Sequence, residues 1–139
     1  MLSEDVRRCV EFVARKWGLR YVVLFGSRAR GYEAPHSDYD IAVRIGRELG
    51  MVERGLLVGD FEKCFGTRVD LVVIDDWNPI TAWEALAKGV PIYSDGGGSK
   101  EFYEDLAKAI DEVADLEPLI KLFRRELKHA FTRFGNESV

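Results

Sequence analysis

Leu24-Phe25-Gly26-Ser27-Arg28-Ala29-Arg30-Gly31, followed after a short loop by Ser37-Asp38-Tyr39-Asp40-Ile41-Ala42-Val43, is the stretch of sequence that decides the fold. It opens on Tyr21-Val22-Val23-Leu24-Phe25, a continuous apolar run rich in β-branched and aromatic residues, which predicts a strand. Gly26-Ser27 stops that strand, and Arg28-Ala29-Arg30 is expected to begin a short helix. Glycine permits close backbone approach and unusual dihedrals, and N–H groups at a helix start favour phosphate. The Ser27 hydroxyl adds a donor, and Arg28 and Arg30 stand where they could reach phosphate or substrate. An exposed helix face is an equal alternative for the two arginines.

Gly31 to Ser37 reads as a loop containing Pro35, and Asp38 to Ile45 as a second strand. Alternate side chains of a strand share a face, so Asp38 and Asp40 point the same way while Tyr39 and Ile41 point towards the core. Hard divalent cations such as Mg²⁺ take carboxylate oxygens together with substrate phosphates. Two such ions about 4 Å apart can clamp an in-line displacement at phosphorus. A third carboxylate is sought on a neighbouring strand, and Asp70 in the β-branched run Arg68 to Ile74 is the candidate. A charge in such a run needs a partner or an ion, because burying it bare is costly. The competing reading pairs Asp70 with Arg68 or Arg44 at a strand edge. His36 is a candidate nucleotide contact, and Asp75 and Asp76 read as turn and cap residues ahead of Pro79.

Working outward, Ser3 is a plausible N-cap for a helix carrying Val6, Cys9, Val10, Val13 and Trp17, closed by Gly18. Arg47 to Phe65 has helical spacing, weakened by Gly50, Gly55 and Gly59. Ile80 to Lys88 predicts a short helix and Val90 to Tyr93 a last edge strand. Gly96-Gly97-Gly98 reads as a linker. Two helices are expected beyond it, one through Phe102, Leu106, Ile110 and Val113, the other opened by Pro118. Residues 95–117 carry eight acids and two lysines, and residues 119–139 five Lys or Arg and two acids. That segregation suggests either an antiparallel helix pair or a basic face for a partner.

Composition sets limits on all of this. The chain has 139 residues, 47% of them hydrophobic, enough for a core in one domain with a short appendage. Its net charge of −4 argues against generic nucleic-acid binding. No apolar run is long enough to span a bilayer, and Met1 to Arg8 lacks the apolar core of a secretory signal, so a cytoplasmic location is expected. Cys9 and Cys64 are expected as free buried thiols, a single disulfide being the less favoured alternative.

Gly-Ser at the end of one strand, Asp-x-Asp ten residues later in the next and a lone Asp in a third resemble the minimal nucleotidyltransferases of the DNA polymerase β superfamily. The resemblance covers roughly residues 1–94. It implies an α+β fold, a small mixed β-sheet flanked by helices, with residues 95–139 as linker and C-terminal helical extension. It implies transfer of a nucleoside monophosphate, AMP from ATP in particular, to a hydroxyl with release of pyrophosphate. By the same resemblance, Gly26, Ser27, Arg28 and Arg30 hold the triphosphate, and Asp38, Asp40 and Asp70 bind two Mg²⁺ ions, or Mn²⁺, with Asp70 activating the acceptor. Stand-alone members of this size are typically antitoxins of the MNT type, which adenylylate a tyrosine of a HEPN ribonuclease toxin.

Arg124 and His129 have the Arg-x4-His spacing of HEPN ribonucleases, but some 40 residues cannot build that helical bundle. Two other functions compete with an active antitoxin. One is a non-catalytic module that neutralises a partner by complex formation through the charge-segregated tail. The other is nucleotidyl transfer to a small molecule or RNA. A homo-oligomer is compatible with each.

Overall fold

The computed structural model describes residues 2–26 and 38–137. Helix α1 (Glu4–Trp17) starts where the Ser3 hydroxyl accepts the Val6 N–H at 3.3 Å. It ends at Gly18, whose left-handed backbone (φ +67°) lets its N–H return to the Ala14 and Arg15 carbonyls. Strand β1 (Tyr21–Phe25) follows, then β2 (Tyr39–Arg44), α2 (Met51–Phe65) and β3 (Val69–Val73). A 3₁₀ turn (Ile74–Asp76) leads to α3 (Pro79–Lys88), β4 (Val90–Ser94) and α4 (Gly98–Glu137). Asn78 caps α3 by accepting the Ile80 and Thr81 N–H groups, with Pro79 in the first turn where its missing donor costs nothing.

The strands form one mixed sheet in the order β3-β2-β1-β4. β1 is antiparallel to β2 and β4, whereas β2 and β3 run parallel across the α2 crossover. This is the small mixed sheet flanked by helices that the sequence leads one to expect. Strand alternation sorts the core into two layers. Val22, Leu24, Ile41, Val43, Val69 and Val73 pack with Val10, Val13, Leu57 and Phe61 of α1 and α2. Tyr21, Val23 and Ala42 pack with Ala82, Ala85 and Leu86 of α3 and with Phe102 and Ala109 of α4.

Several expectations are overturned. Cys9 and Cys64 are not free thiols: they form a disulfide between α1 and α2, with Cα atoms 5.5 Å apart. The two helices pack side by side on the same sheet face and bring the cysteines within bonding reach, which compartment arguments do not foresee. Nor is the C-terminal region two helices folded into an antiparallel pair. α4 is one helix of 40 residues with Pro118 inside it. Proline deletes a single helical hydrogen bond and crowds the carbonyl four residues back. Here the flanking residues, mostly good helix formers, carry the helix through.

The glycines before α4 form a packed turn. Asp95 N–H donates to the Arg20 carbonyl at 2.9 Å, and Gly97 N–H to the Asp95 carboxylate at 3.0 Å. A β-carbon at Gly98 would collide with the Arg20 carbonyl oxygen. The first half of α4 is then fixed by polar contacts. The Tyr21 hydroxyl donates to Asp105 at 2.7 Å and Arg44 Nε to Glu101 at 2.8 Å. Burial pushes the Asp105 carboxyl above its ordinary value. Beyond Leu116, α4 leaves the body, and Leu119, Leu122 and Phe123 are exposed.

Candidate active site

Asp38 lies just ahead of β2, Asp40 is the second residue of β2, and Asp70 the second of β3. The parallel register sets Asp40 directly beside Asp70. By alternation, Asp38, Asp40 and Asp70 share the sheet face of Ala42, the one covered by α3 and α4, while Tyr39 goes to the other layer. There its ring stacks on Phe65 at 4.4 Å, so the residue between the two aspartates is anchored in the α1–α2 core. Asp70 is exposed and Asp38 and Asp40 are half-buried.

On the other side, antiparallel pairing places Phe25, the last residue of β1, opposite Asp40. Gly26 comes next, with φ +77°. A β-carbon there would collide with the Asp40 carboxylate oxygen and stand 3.1 Å from its Cγ. Two constraints therefore demand glycine: a left-handed backbone and the seat of the Asp40 side chain. The interlock joins the two halves of the sequence motif, and spacing alone does not show it. Gly26→Ala is expected to lower nucleotidyl transfer at least tenfold by displacing Asp40, and to cost about 1–2 kcal/mol in stability. Urea denaturation and a transfer assay with labelled ATP measure the two effects separately.

The electrostatics are those of an anion cluster. Burial, then the charges of Asp70 and Asp38, hold the Asp40 carboxyl above the ordinary aspartate range. Among the described residues none of the three forms an ion pair, and the alternative partners of Asp70 are not found there. Arg44 sits at the far end of β2, on Glu101 of α4. Nor do the three form a compact ligand cage among the described residues. Adjacent carboxylates that repel one another and have no basic partner among the described residues nevertheless fit hard divalent ions, which would offset that repulsion. Ser27, Arg28, Arg30 and His36 lie outside the described residues.

The flanking acids are accounted for otherwise. Asp75 accepts the Ile45 and Gly46 N–H groups at 2.9 and 2.7 Å and so fixes the turn after β2. Asp76 receives both terminal nitrogens of Arg54, at 2.6 and 2.8 Å. Both lie in the expected turn, while the cap of α3 is Asn78.

A profile of the polymerase beta nucleotidyltransferase family matches residues 7–96. The chain is 25% identical over 92 residues to a candidate protein adenylyltransferase of Methanocaldococcus jannaschii, covering 66% of this chain and 99% of that one. Among solved structures, it resembles a chain of a toxin–antitoxin crystal structure with AMP-PNP. There the TM-score is 0.75 and the identity 20%, over 87% of this chain and 97% of the other. A tri-AMPylated Shewanella oneidensis HEPN toxin in complex with an MNT antitoxin gives a TM-score of 0.68 at 18% identity, over 88% and 95%. At these identities the likeness is one of fold. The matched residues 7–96 span the Gly26 turn and the strands that carry all three aspartates, and the chain belongs to the polymerase beta nucleotidyltransferase family.

Proposed function

We propose that this nucleotidyltransferase moves AMP from ATP to a hydroxyl of a partner protein, a HEPN-type toxin, and thereby acts as its antitoxin. The observation that carries the reading is the carboxylate cluster: Asp40 and Asp70 in register on adjacent strands, Asp38 on the same face, and Gly26 shaped around Asp40. The M. jannaschii relative supports a protein as acceptor, and the toxin–antitoxin neighbours support the kind of partner.

In the proposed reaction the acceptor oxygen attacks the α-phosphorus. The bond from that phosphorus to the bridging oxygen breaks, and pyrophosphate leaves. Asp70, the most exposed of the three, takes the acceptor proton. Asp38 and Asp40 hold divalent cations, Mg²⁺ by donor chemistry, which when bound neutralise charge at the phosphates. Ser27, Arg28 and Arg30 are assigned to the triphosphate from the sequence.

Incubation with α-labelled ATP, Mg²⁺ and a HEPN toxin encoded beside this chain tests the proposal. Label is expected on the toxin, and none with EDTA or with Asp38→Asn/Asp40→Asn. If the double variant neutralises toxicity as well as wild type, catalysis is not the function. Neutralisation by occlusion is then the reading, and the exposed Leu119, Leu122 and Phe123 of α4 favour it.

A further inference from the structure

β3 is an edge of the sheet, and its outer side is half closed. The Arg68 carbonyl accepts the Tyr39 N–H at 3.1 Å, so Arg68 faces β2. The next residue turns away, and the Val69 N–H donates to Glu62 Oε2 at 3.2 Å. Alternation then points the N–H groups of Leu71 and Val73 and the C=O of Leu71 outward, as it does those of Val69, while the Val73 C=O caps the 3₁₀ turn that follows. Glu62 covers the first of these three positions.

A groove of about 270 Å³ runs along the other two. Leu71 and Val73 lie on its floor, Arg54 of α2 on one wall, and Thr81 and Ala82 of α3 on the other. Arg54 and Asp76, its two charged lining residues, are paired with each other, so the groove offers little net charge to a phosphate chain or a nucleic acid. What it offers is two main-chain donors, Leu71 and Val73 N–H, two residues apart along a strand, with the Leu71 C=O as acceptor between them, a pattern another extended main chain matches. The groove begins one residue along β3 from Asp70 of the candidate active site.

We infer that the open edge of β3 takes an extended segment of the acceptor protein as an added strand. The segment presents its hydroxyl-bearing residue in register with Asp70. Residues in register share a face, so that side chain would lie beside Asp70 and Asp40, on the face where the three carboxylates gather. The inference rests on the reading that the acceptor is a polypeptide. It adds how that polypeptide is held: by main-chain pairing at Leu71 and Val73 between walls from α2 and α3.

Two experiments decide it, with the full-length chain and the HEPN toxin used above as probe. In amide hydrogen exchange, the Leu71 and Val73 amides should exchange at least tenfold more slowly in the complex with the toxin than in the chain alone or with ATP. Leu71→Pro removes an outward N–H and leaves the β2–β3 ladder intact, and proline is tolerated on an edge strand. It should raise KM for the toxin at least tenfold with little change in kcat. Thr81→Trp, which fills the groove from α3 without touching the strand, should do the same.

Unprotected Leu71 and Val73 amides in a formed complex overturn the inference. So does protection that grows with protein concentration without toxin, which would mean edge-to-edge pairing of two copies. If Leu71→Pro fails to fold, Thr81→Trp and the exchange data still decide. Protected amides without label transfer would leave the docking in place and remove the catalytic reading.

Discussion

Asp40→Asn should sharply reduce nucleotidyl transfer and raise the melting temperature in the same protein. Asp40 is held above the ordinary aspartate range by burial first and by the Asp70 and Asp38 charges second. The folded chain therefore holds this proton more tightly than the unfolded chain. The stability gained from protonation is fully present below the unfolded-state value and is lost as pH rises through the raised folded-state value. Above that raised value Asp40 is ionised and its charge opposes folding. Asparagine keeps the shape and removes the charge, so at pH 7 in EDTA the variant should melt higher than wild type. The difference should shrink as pH falls into the range where wild-type Asp40 takes up its proton. Transfer should fall on the order of a hundredfold to a thousandfold, the usual loss for a group that stabilises charge at the reacting centre. Differential scanning fluorimetry across pH and a labelled-ATP assay measure the two sides. A variant that melts lower at pH 7 would show that Asp40 has a stabilising partner and would remove the argument that the site stores repulsion.

The two strands of the motif are legible in the sequence because both signals are local. Val22-Val23-Leu24 and Ile41-Ala42-Val43 are apolar runs of strand length, and both are buried. Asp70 stood out because a charge in a β-branched run calls for an explanation. The seat of Asp40 against Gly26 was not legible. It depends on the antiparallel register of β1 on β2, a pairing that sequence spacing does not fix. The start of α2 shifted for a related reason. Arg47 and Glu48 have helical spacing, but the helix begins at Met51, with the Glu53 carboxylate bonded back to the Gly50 N–H. α4 shows the limit of punctuation by Gly and Pro. The glycines at 96–98 and Pro118 have the local character of a linker and a helix start, yet close packing of Gly98 on Arg20 makes the first a fixed turn. Helix formers on both sides overrode the second.

The Cys9–Cys64 disulfide carries the other large effect. It closes a loop of 55 residues that contains β1, β2 and nearly all of α2. In the chain-entropy model, a cross-link over that length destabilises the unfolded state by about 4 kcal/mol. For a chain of this size that is a drop of about 10 °C or more in melting temperature on reduction. The consequence should extend beyond stability. Cys64 is followed by Phe65, whose ring backs Tyr39 between the two aspartates, and by the turn that launches the strand of Asp70. Holding the end of α2 against α1 therefore also steadies the base of the carboxylate cluster. Cys9→Ser/Cys64→Ser should melt lower by that amount and should lose transfer activity on heating before its secondary structure melts. Thiol titration of the denatured, unreduced protein should find no free cysteine. Two reactive thiols in that titration, or a double variant that melts with wild type, would mean that packing of α1 on α2 suffices without the bond. The wild-type protein should then be indifferent to reductant.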